Sequence, residues 1–185
     1  MQYVHYPVMR NEVLSYLNPG NREALLVDCT LGEGGHSELF LKTCPNLKVI
    51  GLDIDCRIME KARTRLAPYR DRFKVINTWF DTFWSTYDGP EVDYVLFDLG
   101  ISVFHYEESG RGFSFKRRER LDMRLDVDGE PDASDVVNTY DETRLADLIY
   151  KYGEERYSRR IASAICARRL TKRIESTDEL ADIIW

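Results

Sequence analysis

In the N-terminal half of the chain, short apolar runs alternate with segments whose apolar positions recur at helical spacing. The runs at Leu25–Val27, Lys48–Leu52, Phe73–Ile76 and Tyr94–Phe97 predict strands. Between them the spacing predicts helices over Asn11–Leu17, stopped by Pro19-Gly20, and over Ser37–Thr43, stopped by Pro45. A third helix, Cys56–Leu66, places Ile58, Met59, Ala62 and Leu66 on one face. Near-continuous apolar strands alternating with helices imply a parallel sheet covered on both faces. Right-handed crossovers make that sheet doubly wound and Rossmann-like, so the expected class is α/β.

The period changes after about residue 104. Glu107 to Pro131 is polar, rich in Gly, Arg and Asp, and aperiodic; from Ala133 onward the pattern is helical. Thr139-Tyr-Asp-Glu142 and Ser176-Thr-Asp-Glu179 read as capping boxes. Gly153 stands where a glycine would end a Glu142–Tyr152 helix. The next helix is expected from Glu154 to Leu170, with Tyr157, Ile161, Ala164 and Ile165 on its apolar face and Arg156, Arg159 and Arg160 opposite. The expected domains are therefore a core over 1–104 and a loop plus helical lobe over 105–185. A complete doubly wound domain needs more than four strands, and the sequence stops inside a helical pattern at Asp182-Ile-Ile-Trp185. The sheet is expected to be incomplete, and the polypeptide to be truncated at its C-terminus.

Composition narrows the class without naming it. No apolar run approaches the roughly 18 residues that would span a bilayer, and no secretory signal is visible, so a cytoplasmic location is expected. Cys29, Cys44, Cys56 and Cys166 form no Cys-x-x-Cys pair, which reads as reduced thiols and no metal site. The net charge of −6 excludes a simple polycation, yet residues 151–173 carry eight basic side chains against two acids. Local fields steer partners, so that basic segment suits a polyanion.

The chemistry gathers at the strand ends. Asp28-Cys-Thr-Leu-Gly32-Glu-Gly34-Gly35-His36-Ser37 is a strand end, a glycine turn and a helix start. Glycines there permit positive φ and close approach of a ligand. The turn is neither G-x-G-x-x-G, because Ser37 replaces the third glycine, nor a Walker A loop. It carries no Lys or Arg and holds Glu33 beside Asp28. Those acids favour a cofactor with a positive centre, S-adenosyl-L-methionine, over a dinucleotide; a turn holding no nucleotide is the remaining alternative. Asp53, ending the second strand, suits ribose hydroxyls, with Asp55 left to cap the following helix. Phe80 can pack on an adenine or serve as a plain core aromatic. Asp98, at the end of the strand beside the first, lies at the topological switch point. It is the candidate catalytic group, accepting an N–H from an exocyclic amine, and Gly100 would let backbone pass close to the substrate. His5 and His36 are acid–base candidates on chemistry alone. Arg111-Gly-Phe113-Ser-Phe115 and Leu121-Asp-Met-Arg124 mix arginine and aromatics in a form that can stack bases and hold phosphates.

These blocks together resemble the bacterial ribosomal small-subunit RNA cytosine-N4 methyltransferases, the MraW family. The resemblance also takes in His5-Tyr-Pro-Val-Met-Arg-Asn-Glu12-Val13, Asp98-Leu-Gly-Ile-Ser102 and Tyr152-Gly-Glu-Glu-Arg156. It implies a Rossmann-like methyltransferase core interrupted by a helical substrate lobe, with N4 methylation of a cytidine in the decoding region of 16S ribosomal RNA. It implies cofactor contacts at Gly34, Gly35, His36, Asp53, Phe80 and Asp98. A further cofactor position, usually Gln in the family, falls on His105, and the usual Ser-Ser falls on Ser102-Val103. Family members continue beyond residue 185 and return to the remaining strands. The small ribosomal subunit is the expected partner, and a homodimer stays open. The competing readings are an amino-methyltransferase on DNA or a small molecule, and a nucleic-acid-binding module without activity.

Overall fold

The computed structural model describes residues 7–185; His5 lies outside the described residues. The protein divides into two compact units, one ending at Ser102 and the other running from Val103 to Trp185.

In the first unit, helix α1 (Arg10–Tyr16) precedes β1 (Ala24–Asp28), α2 (Gly35–Thr43), β2 (Leu47–Asp53), α3 (Cys56–Leu66), β3 (Phe73–Asn77), α4 (Phe80–Thr86) and β4 (Tyr94–Leu96). All strand pairs are parallel, in the order β3-β2-β1-β4. The order reverses between β1 and β4, and this places the switch point there. Register aligns the carboxyl ends: Asp28 lies opposite Gly51 and Leu96, and Asp53 opposite Asn77. On one side of the sheet Leu26, Phe40, Leu41, Leu47, Val49 and Leu66 are buried together; Val27, Cys29, Leu52 and Phe83 form a second cluster.

Local chemistry explains most boundaries. Asp55 caps α3 by accepting the Arg57 N–H at 3.0 Å. Helix α2 ends at Thr43, ahead of Pro45, as the restriction before proline requires. Helix α4 was not expected, since Phe, Trp, Thr and Ser are weak helix formers. Packing overrides propensity: the Phe83 ring meets Trp84 at 5.1 Å and Tyr87 at 4.9 Å.

The second unit holds α5 (Val103–Glu107), α6 (Ala133–Thr139), α7 (Glu142–Gly153), α8 (Ser158–Arg169) and α9 (Thr177–Ile184). Leu121, Val137, Leu145, Ala162, Ile165 and Ile174 are the heart of its core. Four expectations change here. Thr139 ends α6, and the cap of α7 is Asp141, whose carboxylate accepts the Arg144 N–H at 2.9 Å. Gly153 is the last residue of α7, and the left-handed position is taken by Glu154 at φ 52°. Helix α8 starts four residues later than expected, and its buried face is Ser158, Ala162 and Ile165, with Tyr157 exposed. The Ser176 box does not form: Glu179 accepts the N–H of Glu175, one residue before the cap, and the Ser176 hydroxyl turns to Asp178. Among the described residues no helix is long and apolar enough to cross a membrane.

Candidate functional site

The glycine turn is held from both sides. The Leu31 N–H donates to Leu52 O at 2.9 Å, and Gly34 N–H to Leu31 O at 2.8 Å. Gly34 precedes α2 at φ 79°, where an added Cβ would lie 2.8 Å from Leu66 Cδ1. Only glycine meets both conditions. No side chain caps α2 at Gly34, and a helix start of this kind suits an anion.

Asp28 does not face a ligand. It is 1% exposed; its Oδ2 accepts the Ser37 hydroxyl at 2.7 Å and its Oδ1 the Thr30 N–H. Ser37, standing where a dinucleotide turn has its third glycine, thus ties α2 to the end of β1. Burial pushes the Asp28 carboxyl up to about 6, against the Ser37 and Thr30 hydrogen bonds and with added repulsion from Asp53 and Asp98. Between the ordinary value of 3.8 and about 6 the folded protein therefore holds a proton that the unfolded state has released. Stability from this group is complete at low pH and falls as pH rises through 6, by about 3 kcal/mol once the group is ionised. Asp28→Asn should flatten the melting temperature between pH 4 and pH 7; an unchanged slope in the variant would refute this role.

Glu33 is likewise occupied, with Lys61 Nζ 3.4 Å from its carboxylate. Both acids behind the charge argument for the turn are thus spent within the protein. Asp53 and Asp98 remain. Asp53 accepts Gly32 N–H through Oδ2 at 2.8 Å and Asp55 N–H through Oδ1 at 2.9 Å, so it joins the end of β2 to the turn.

Asp98 lies two residues beyond β4. Its backbone N–H donates to Thr30 Oγ1 at 2.7 Å, and its side chain is 40% exposed. The His36 ring, almost fully buried at the start of α2, brings Nε2 to 3.5 Å from Asp98 Oδ2. Gly34, Gly35, His36, Asp53 and Asp98 therefore converge at the carboxyl ends of β1, β2 and β4. Thr30 positions Asp98 and escaped sequence reasoning, because a threonine inside a glycine turn carries no marker of its partner. Phe80, half-buried at the start of α4, meets Phe97 edge-on at 5.2 Å. A Cβ at Gly100 would meet nothing within 4 Å, so no protein contact demands glycine there.

The second unit uses several expected residues internally. His105 is buried on α5, its ring 5.2 Å from Phe113. Arg111 is buried and donates to the carbonyls of Arg124 and Leu125. Arg124 forks onto both oxygens of Asp122, at 2.9 and 2.8 Å, and holds that carboxyl below its usual range. Arg111 and Arg124 thus hold the loop together, with the Phe113 ring 5.6 Å from the Arg111 guanidinium carbon. Arg156, Arg159 and Arg160 are exposed as expected.

The family model described as the MraW methylase family matches residues 2–185. The ribosomal RNA small subunit methyltransferase H of Treponema denticola is 49% identical over 187 residues, covering 100% of this protein and 59% of that one. The protein of the same name from Persephonella marina is 47% identical over 98% of this sequence and 62% of its own length. That from Mycobacterium marinum is 39% identical over 98% and 49%. The sequence thus spans about half to three-fifths of these curated relatives. A solved structure titled putative rRNA-methylase from Clostridium thermocellum is similar at TM-score 0.44 and 22% identity, over 53% of this protein and 54% of that one.

Proposed function

The protein belongs to the MraW methylase family, and from that premise we propose that it takes part in methylating the N4 amine of a cytidine in the decoding region of 16S ribosomal RNA. The family is one of S-adenosylmethionine-dependent methyltransferases. The observation that carries the reading is Asp98: a half-exposed carboxylate at the switch point, fixed by Thr30 and flanked by His36.

The residues present fit that cofactor. The uncapped start of α2 at Gly34 and Gly35 suits its carboxylate. Asp53 suits the ribose hydroxyls, and Phe80 with Phe97 offers an aromatic wall for the adenine. Among the described residues His36 is the sole basic side chain in ion-pair range of Asp98, so a cationic centre meets no lysine or arginine at that carboxylate. When bound, S-adenosylmethionine supplies an electrophilic methyl group. Asp98 accepts an N–H hydrogen bond from the substrate amine, keeps the nitrogen lone pair from delocalising into the base, and offsets the positive charge growing on nitrogen. His36 orients the Asp98 carboxylate. In-line positioning matters more than a strong base in such a transfer.

The test is tritium transfer from labelled cofactor to small ribosomal subunits, followed by nucleoside analysis. Label in N4-methylcytidine is expected. Label in another nucleoside would replace the proposed target with a different one.

A further inference from the structure

The turn between α7 and α8 leaves three tyrosines in solvent: Tyr150 is 63% exposed, Tyr152 75% and Tyr157 47%. Such ring area is costly to leave in water unless a partner covers it. Around it lies a concavity of about 310 Å3 lined by Asp147, Tyr150, Arg156, Tyr157, Arg159 and Arg160. The guanidinium carbons of Arg156 and Arg160 stand 4.7 and 5.6 Å from the Tyr157 ring centroid. Stacking on that ring pre-orders both forks. Among the described residues no carboxylate pairs with Arg156, Arg159 or Arg160. The nearby Glu155 carboxylate is engaged by the Tyr157 N–H at 2.7 Å. The first turn of α8 also has no acid, although it carries Arg159 and Arg160 at the positive end of the helix dipole. That arrangement opposes helix stability, and a bound anion relieves it.

We propose that this concavity is a subsite for single-stranded RNA: the Arg156, Arg159 and Arg160 guanidiniums take backbone phosphate, and the open Tyr150 ring takes an unstacked base. Tyr157 holds two of the three arginines in place. The proposal rests on the reading of the protein as an RNA methyltransferase and adds a contact to it outside the switch-point site. A single strand fits better than a duplex, since a ring can stack only on a base already out of its helix.

The test measures fluorescence anisotropy of a short labelled single-stranded RNA with the full 185-residue protein, across a salt series. In the R156Q/R159Q/R160Q variant the slope of log affinity against log salt should flatten by about 2, with a loss of about 100-fold near 0.1 M salt. The matching triple lysine variant should keep the slope. Tyr150→Ala should weaken binding about tenfold at an unchanged slope, and a duplex of equal length should not feel that change. An unchanged slope in the glutamine variant, or equal sensitivity of duplex and single strand to Tyr150→Ala, overturns the subsite. Tritium transfer measured in parallel separates the two claims. Transfer by the wild type with no binding defect in the glutamine variant sinks the subsite alone. The expected binding changes without any transfer support the subsite and sink the enzymatic reading.

Discussion

Asp98→Ala should lower methyl transfer by about 100- to 1,000-fold, the usual consequence of removing one group aimed at charge that develops in a transition state. The expectation rests on geometry. The Asp98 backbone is fixed by its N–H bond to Thr30 Oγ1, a contact the substitution keeps. The side chain is 40% exposed and packs in no core, so its removal leaves no cavity and the fold should persist. Asp98→Asn separates charge from shape. The amide oxygen still accepts an N–H bond but cannot offset a positive nitrogen, so the rate should stay well below wild type. RNA affinity and the melting temperature should barely move in either variant. Wild-type turnover in Asp98→Ala would remove Asp98 from the chemistry and leave the switch point without an acceptor.

Gly34→Ala should destabilise the first unit by about 2–4 kcal/mol, read from urea denaturation. A left-handed conformation costs a non-glycine residue roughly 1–2 kcal/mol. Gly34 has φ 79°, so that cost applies in full. The new Cβ would also stand 2.8 Å from Leu66 Cδ1 and 3.3 Å from Leu66 Cγ. Leu66 is wholly buried, packed in the core with Phe40 and Leu41. It cannot swing away without disturbing that core, and overpacking of this kind costs roughly 1–3 kcal/mol. Gly153→Ala is the contrast: nothing lies within 4 Å of its Cβ and its φ is not positive, so it should be far milder. Equal stability of Gly34→Ala and wild type would mean that the turn does not depend on that glycine.

The strands were legible because buried parallel strands are continuous apolar runs: Lys48–Leu52 lies inside β2, and Phe73–Ile76 inside β3. Asp55 as the cap of α3 was legible too, since a carboxylate just before a periodic helix has few other uses. What stayed hidden depends on partners distant in sequence. Asp28 read as a ligand contact because the Ser37 hydroxyl, nine positions on, gives no sign that it will turn back. Arg124 read as a phosphate contact because nothing marks Asp122 as its bidentate partner. Helix α4 hid for another reason: its stability lies in ring packing that residue preferences do not register. The two acids that remain at the site, Asp53 and Asp98, are the two the strand ends marked most plainly.

The most direct measurement is equilibrium dialysis of radiolabelled S-adenosylmethionine against the wild type and Asp53→Ala, with melting curves recorded alongside. Saturable one-site binding by the wild type is expected, displaced by S-adenosylhomocysteine but not by NAD. Loss of the charge-assisted bonds to ribose should weaken it by about 10- to 100-fold in the variant. Full affinity in a folded Asp53→Ala protein would contradict the placement of the cofactor at the carboxyl ends of β1 and β2.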